Sequence, residues 1–378
     1  MKIIFAYPPL PTDKGVPLLS QNRQFQYFKE PTYIYPVVPA SAVTLLSKSG
    51  FDVKWKDCIA GNIDEKTFFS YLKDEHADLL VIETKTPVVK KHWRIIDAVK
   101  SQNPKTKTAL VGDHVSALPL ESFEHSNVDF VITGGDYDFL LLNLCKNLAN
   151  NSSRDNLEKG IYFRENGHVR NSGQFELNHD LNALPHIDRE LTQWKTYAYN
   201  NGNFKYTPGT YIMSGRDCWW GKCSFCSWPT LYPKFRTRSV ENVLDEIGAL
   251  INKLEIKEIM DDTGTFPTGA WLRDFCNGMV QRGFHKKVMF DCNMRFGALE
   301  FEDYRLMKKA GFRLLLFGLE SANQTTLDKI KKNLNASQVI ESCRQARLAG
   351  LYPHITIMFG YPWEDYENAL RTLNVGRW

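Results

Sequence analysis

Cys218, Cys223 and Cys226 lie within nine residues, in the run Cys218-Trp219-Trp220-Gly221-Lys222-Cys223-Ser224-Phe225-Cys226. Thiolates are metal ligands, and three on one loop suit two kinds of centre. One is a [4Fe–4S] cluster with a thiolate on each of three irons, its fourth iron left without a protein ligand. The other is a structural zinc ion, which takes four tetrahedral ligands; the nearest histidines on either side, His186 and His285, are remote in sequence. The cluster is the expectation and zinc the alternative. Cys58, Cys145, Cys276, Cys292 and Cys343 are scattered among apolar neighbours and are expected to pack as small hydrophobes. A disulfide framework is not expected in a chain of this length.

A loop of this kind has to be held by regular elements. From Thr210 onward strand and helix patterns alternate. Tyr211-Ile212-Met213 leads into the cysteines, and a helix capped by Ser239 follows, with Val240, Val243, Leu244, Ile247, Leu250 and Ile251 on one stripe. Further strands are expected at 258–260, 288–290, 313–317 and 354–359, with helices around 271–280, 304–309 and 339–348. Residues 208–378 therefore read as a partial barrel of five β/α units, with the cysteine loop at the carboxyl ends of its strands, where such folds carry their sites. Residues 1–150 alternate in the same way. Their apolar runs at 3–6, 52–55, 79–82, 108–111 and 129–132 imply an α/β, doubly wound domain whose parallel sheet is covered on both faces. Its ligand end should carry Tyr7-Pro8-Pro9, Thr84, Gly112-Asp113-His114 and Gly134-Gly135. Residues 151–207 read as a connector, with a hairpin turning at Asn166-Gly167 and a polar, aromatic remainder wrapped over the surface.

Composition agrees with two domains and a fraction. The chain has 378 residues, 43% hydrophobic and 24% charged, which excludes wholesale disorder; at about 150 residues per domain it holds roughly two and a half. No apolar run approaches the ~18–20 residues that span a bilayer. The first one is broken by Pro8-Pro9, unlike a signal peptide. A cytoplasmic location without a membrane partner is expected. A net charge of +4 does not mark a nucleic-acid binder, and Lys329-Ile330-Lys331-Lys332 reads as a solvated helix end.

The cysteine loop resembles that of the radical S-adenosylmethionine enzymes, which read C-x3-C-x2-C with an aromatic residue before the last cysteine. Phe225 holds the aromatic place, and the first gap here is four residues rather than three. The resemblance implies that Cys218, Cys223 and Cys226 hold a [4Fe–4S] cluster whose open iron takes the amino and carboxylate groups of S-adenosylmethionine. An electron from a donor such as flavodoxin or ferredoxin would then cleave that cofactor to a 5′-deoxyadenosyl radical. The same resemblance implies cofactor contacts at four further residues. Phe225 is one. Asp262 lies in Asp261-Asp262-Thr263-Gly264 after the second barrel strand, where the family has Gly-Gly-Glu. Arg295, after the third, would pair the methionine carboxylate. Glu320 lies in Gly318-Leu319-Glu320-Ser321 after the fourth and matches a Gly-Glu-Ser signature. Gly360-Tyr361-Pro362-Trp363-Glu364 resembles the family's Gly-x-Pro-x-Glu turn near the adenine. The family's barrel usually has six units, so an open strand edge is expected after the fifth.

Residues 1–150 resemble the cobalamin-binding domain that precedes the barrel in one branch of the family. The likeness is carried by Tyr7-Pro8-Pro9 and by the segments 110–119 and 128–136. It implies cobalamin contacts at Pro8, Thr84, Gly112, His114 and Gly134. Where the branch reads Gly-Gly-Pro-His and Gly-Glu, this chain has Gly112-Asp113-His114 and Gly135-Asp136. Many cobalamin domains use Asp-x-His-x-x-Gly to give cobalt a histidine. After Asp57 this chain has Cys58 and Ile59, so cobalt would receive no imidazole from below. The resemblance implies a cobalamin-dependent methyltransferase acting on an unactivated carbon of a small-molecule or peptide substrate. The alternatives are a rearrangement or cyclisation with the same cofactors, and a non-catalytic cobalamin- or zinc-binding sensor.

Overall fold

Ile3-Ile4-Phe5-Ala6 has no polar side chain to keep in water, and it becomes the buried centre of β1 (Lys2–Tyr7). The computed structural model describes residues 1–19 and 25–376, and the chain divides into two units. Unit 1 comprises Met1–Asn203 with Thr230–Tyr232; unit 2 comprises Phe204–Pro229 and Pro233–Trp378.

In unit 1, β1 joins β2 (Asp52–Asp57), β3 (Leu79–Glu83), β4 (Lys107–Val111), β5 (Phe130–Ile132), β6 (Ile161–Glu165) and β7 (His168–Asn171) in one seven-stranded sheet. The order is β2-β1-β3-β4-β5-β6-β7. The first five are parallel, with Phe5 opposite both Trp55 and Val81. Helices Val37–Lys48, Glu65–Glu75, Val89–Gln102 and Tyr137–Ala149 connect them. Phe68, Leu72, Trp93 and Ile96 pack with Leu80, Ile82, Leu110 and Val131, each large side chain contributing about 1.5–3 kcal/mol by leaving water. The hairpin at Asn166-Gly167, both at positive φ, is the antiparallel edge of this same sheet. The stretch after it also belongs to unit 1, with Trp194 and Tyr197 buried. Because the chain moves from β1 to β2 on one side and on to β3 on the other, the carboxyl ends of β1 and β3 flank a topological switch point, the place where such sheets take ligands.

In unit 2, β8 (Gly209–Ile212), β9 (Glu258–Asp261), β10 (Met289–Met294), β11 (Phe312–Glu320) and β12 (Tyr352–Ile357) lie side by side in that order, all parallel. Helix Val240–Leu254 starts where Ser239 Oγ accepts the Asn242 N–H, and it buries the expected stripe from Val243 to Ile251, with Val240 at its start half-buried. Phe266, Phe275, Phe290 and Phe312 form one ring cluster, with centroids 4.9 Å apart for Phe290 and Phe312. A charged layer is buried in the sheet as well: Glu258 on β9, Asp291 on β10 and Arg313 on β11. Among the described residues no helix is long and apolar enough to cross a membrane.

Candidate functional site

The carboxyl ends of the unit 2 strands carry the cysteines. β8 continues into a short ribbon, Gly215 opposite Thr237 and Arg216 opposite Arg236, which closes the base of the loop. The wall against the loop comes from the segment read from sequence as a solvated helix end. Trp220 Nε1 donates to the Lys331 carbonyl at 2.9 Å, and the Ser224 N–H donates to the Ile330 carbonyl at 3.0 Å. Arg295 donates to the carbonyls of Lys332 and Asn333, and its guanidinium lies 4.3 Å from the Trp220 ring centroid. Lys332 is buried, not solvated, and its Nζ donates to Glu320 Oε1 at 2.8 Å. The solvated reading holds for Lys329 and Lys331, which are exposed, and fails at Lys332, because the core residues Leu327, Ile330 and Leu334 draw the end of the segment down between them.

Glu320 takes a left-handed backbone, φ 67°, which a non-glycine residue adopts at some cost. Gly318 is required beside it. A Cβ there would stand 2.3 Å from Glu320 Oε1 and 2.9 Å from Lys332 Nζ, so the Gly-x-Glu spacing clears room for the buried ion pair. Glu364 has a different task from a ligand contact. Its Oε1 accepts from Ser321 Oγ and Thr326 Oγ1, both at 2.6 Å, and from Asn323 Nδ2 at 3.1 Å, pinning the turn that follows β11.

On the other side of the loop stand acids. Asp261 accepts from the Ser214 and Thr263 N–H groups at 2.9 and 3.0 Å, yet burial raises its carboxyl to about 6. Asp262 is fully buried, and its N–H continues the β8 ladder to the Ile212 carbonyl. Asp217 Oδ1 accepts the Gly264 N–H at 3.0 Å. Cys218 Sγ is 3.1 Å from Thr265 Oγ1.

The donor set decides which metal centre fits. Each of the three thiols is half-buried, and Cys226 feels both of the others electrostatically. Burial pushes Cys223 up and Cys226 up to about 12, while Lys332 and Arg295 draw Cys223 back down. Among the described residues no three or more His, Cys, Asp or Glu side chains converge as ligands of a single metal ion. A cluster has no such requirement, since each thiolate binds a different iron. Three thiols of one loop with cations at Cys223 suit an anionic cluster, and the fourth ligand that a structural zinc would need is not supplied.

Phe225 is brought to this group as well, 5.8 Å from Lys332 Nζ at its ring centroid. Thus Phe225, Arg295, Glu320 and the cysteines form one constellation, and Asp262 lies on its acidic side. Lys332, Trp220 and Asp217 were not singled out in the sequence; only the adjacency of Trp220 and Asp217 to the cysteines hinted at them.

The ligand end of unit 1 is built differently. At the switch point Tyr7 Oη donates to Glu83, a fully buried carboxylate, and Tyr137 Oη lies 3.4 Å from its other oxygen. Lys85 pairs with Asp113 at 3.2 Å beside them. An open pocket adjoins this end, lined by Tyr7, Leu18, Tyr33, Asp57, Ile59 and Tyr197. Asp57 accepts the N–H groups of Ile59 and Ala60, both at 2.9 Å, and the Tyr197 hydroxyl at 2.6 Å. That bonding holds Ile59 at the pocket wall.

Pro8 and Thr84 are buried at the ends of β1 and β3, and Thr84 Oγ1 is 2.8 Å from His92 Nδ1. Gly112, φ 115°, is glycine because a Cβ would stand 2.4 Å from the Thr84 carbonyl. Gly134 is covered by its own chain, with the Phe175 ring 2.5 Å from where a Cβ would lie. His114 has its Nδ1 3.1 Å from Thr86 Oγ1 and its Nε2 3.1 Å from Glu121 Oε2, and burial lowers its pKa.

Glu83 gives unit 1 a pH dependence. Burial, opposed by Lys85 and the tyrosine hydroxyl, raises its carboxyl from 4.5 to about 7. A carboxyl raised on folding contributes stability below its unfolded value and loses it as pH rises through the folded one. Stability should therefore fall by about 3 kcal/mol between pH 5 and pH 8 on account of this group. The Glu83→Gln variant should show a flatter curve in urea titrations; a curve parallel to the parent would refute the assignment.

The comparisons follow the geometry. Residues 212–374 match the model of the radical SAM superfamily. The chain is 26% identical over 334 residues to an uncharacterized methyltransferase of Pyrococcus horikoshii, covering 86% of this chain and 70% of that protein. It is 22% identical to the anaerobic magnesium-protoporphyrin IX monomethyl ester cyclase of Rubrivivax gelatinosus, covering 86% and 59%. Its fold is similar to the cobalamin-dependent S-adenosylmethionine radical enzyme OxsB, with a TM-score of 0.78 at 18% identity over 99% of this chain. It is also similar to the methyltransferase TsrM of Kitasatospora setae, with a TM-score of 0.75 at 16% identity over 99% of this chain and 70% of TsrM. The chain spans about half the length of OxsB, 51%.

Proposed function

We propose, from the match of residues 212–374 to the radical SAM superfamily of enzymes, a cobalamin-dependent methyltransferase acting on an unactivated carbon of a small molecule. The observation that carries this reading is the half-buried three-thiol loop with Arg295 and Lys332 acting on Cys223. When bound, the cluster with S-adenosylmethionine supplies one-electron bond cleavage, and cobalamin supplies a transferable methyl group.

The chain's own residues do the placing. Cys218, Cys223 and Cys226 would hold the cluster, and the two cations would balance its charge. Phe225 and the Glu320–Lys332 pair would border the bound S-adenosylmethionine, with Arg295 offering charge-assisted hydrogen bonds to its carboxylate. In unit 1, Pro8, Thr84 and Gly112 at the strand ends, with the apolar Ile59 in place of histidine, would take the corrin without an imidazole ligand. The electron donor would be a flavodoxin or ferredoxin.

Anaerobic reconstitution with iron, sulfide and hydroxocobalamin tests the reading. The expected result is a brown protein with about four irons that retains cobalamin through gel filtration and, once reduced, releases 5′-deoxyadenosine from S-adenosylmethionine. A colourless protein with one zinc would overturn it. The named cyclase relative favours a second reading, ring closure with the same cofactors. Product mass separates the two, since only methyl transfer adds a methyl group.

A further inference from the structure

Leu231 and Tyr232 hold both backbone groups of Gly135. The Gly135 N–H donates to the Leu231 carbonyl at 3.0 Å, and the Tyr232 hydroxyl donates to the Gly135 carbonyl at 3.1 Å. Both side chains are buried, packed with Phe175 and Leu177 of the connector. A Cβ at Gly135 would stand 1.9 Å from the Tyr232 ring, just as one at Gly134 would meet Phe175. The two glycines therefore leave the space that these rings fill. All of these contacts lie within unit 1, to which Thr230–Tyr232 belongs.

On either side of Thr230–Tyr232 the chain belongs to unit 2. Residues 217–235 form one loop, closed at its base where Arg216 pairs with Arg236. That loop carries the three cysteines first and this clasp second, joined by the short helix Trp228–Leu231. At the start of the helix the Trp228 N–H donates to the Cys226 sulfur, and the Trp228 ring packs on Gly264, where a Cβ would be 1.6 Å away. At its end Leu231 receives Gly135. Residues 217–227 form neither helix nor strand, so few backbone bonds fix the cysteines. Iron held by all three would remove freedom from the loop, and part of the cost of ordering the clasp would then already be met.

We propose that Leu231 and Tyr232 couple the two cofactor sites, so that a cluster in the cysteine loop steadies the Gly134-Gly135 turn and raises the affinity of unit 1 for cobalamin. The inference rests on the function proposed above and adds a dependence between its two cofactors. Such a coupling is reciprocal, so bound cobalamin also helps the loop to keep its iron.

The test measures hydroxocobalamin affinity by equilibrium dialysis on the full chain, before and after anaerobic reconstitution of the cluster. In the parent the cluster is expected to tighten binding by about fivefold or more. In Tyr232→Leu iron should load as in the parent, while the cluster changes the affinity by less than about twofold. A substitution that merely loosens unit 1 would weaken binding in both states alike and keep the parent's ratio. That outcome would overturn the proposal, as would a parent ratio below about twofold. If Tyr232→Leu fails to fold, Tyr232→Phe is read by the same ratio, since it keeps the ring and loses only the bond to the Gly135 carbonyl. A ratio smaller than the parent's supports the coupling, and an unchanged one refutes it. A parent protein that takes up no cluster, or binds no cobalamin in either state, defeats the proposed function itself and the coupling with it.

Discussion

Replacing Cys223 with serine is expected to remove the iron chromophore and reduce S-adenosylmethionine cleavage to background. Burial raises the Cys223 thiol, and Lys332 and Arg295 oppose that rise; a serine hydroxyl stays protonated under the same field. Cys218→Ser and Cys226→Ser should do the same, because three thiolates are the minimum this loop offers a cluster. Cys343→Ser is the control, being half-buried on another element, and should keep its iron. The readouts are iron per chain, the visible absorption of the cluster, and 5′-deoxyadenosine by chromatography. Full turnover in any one of the three loop variants would remove that cysteine from the ligand set.

The second large effect is on stability. Arg313→Met should destabilise unit 2 by about 3–5 kcal/mol, as breaking a buried charge network does. Arg313 Nε donates to Glu258 Oε1 at 2.6 Å, and its terminal nitrogen donates to Asp291 Oδ2 at 2.7 Å. Glu258 also accepts the N–H groups of Lys205 and Tyr206 at 2.7 and 2.6 Å, and Asp291 accepts that of Leu314 at 2.9 Å. One cation thus serves two fully buried carboxylates, and burial together with Glu258 already pushes Asp291 upward. Without Arg313 both carboxylates must become neutral to stay inside. A carboxyl raised on folding favours the native state at low pH, so the deficit should grow as pH rises. Urea unfolding at pH 6 and pH 8 measures this. The triple variant Arg313→Met/Glu258→Gln/Asp291→Asn should recover much of the loss, because no uncompensated charge remains. A loss below about 1 kcal/mol would mean that the network behaves like a surface ion pair.

These two effects also differ in how visible they are in the sequence. Thiol chemistry at Cys218, Cys223 and Cys226 is legible because the ligands share one loop, where spacing along the chain is spacing in space. The strands and helices of both units are legible for the same reason. A period of two or of 3.6 residues is a local property, and Val243, Leu244 and Ile247 are buried as their stripe requires. The glycines at 112, 264 and 318 are visible as residues but not as reasons, since each makes room for a group that only the folded chain brings near.

What the tertiary structure alone decided is partnership. Tyr7 and Glu83 are 76 positions apart, and Glu258 and Arg313 are 55 apart. Only the parallel register of neighbouring strands brings such pairs together. Lys332 shows the same point in reverse: one lysine of a charge run that reads as solvated is buried, because its apolar neighbours Ile330 and Leu334 are worth more inside than outside. Residue type and spacing determine which chemistry a segment can support. Burial and strand register, which sum contributions from the whole chain, determine which charges meet and which are taken out of water.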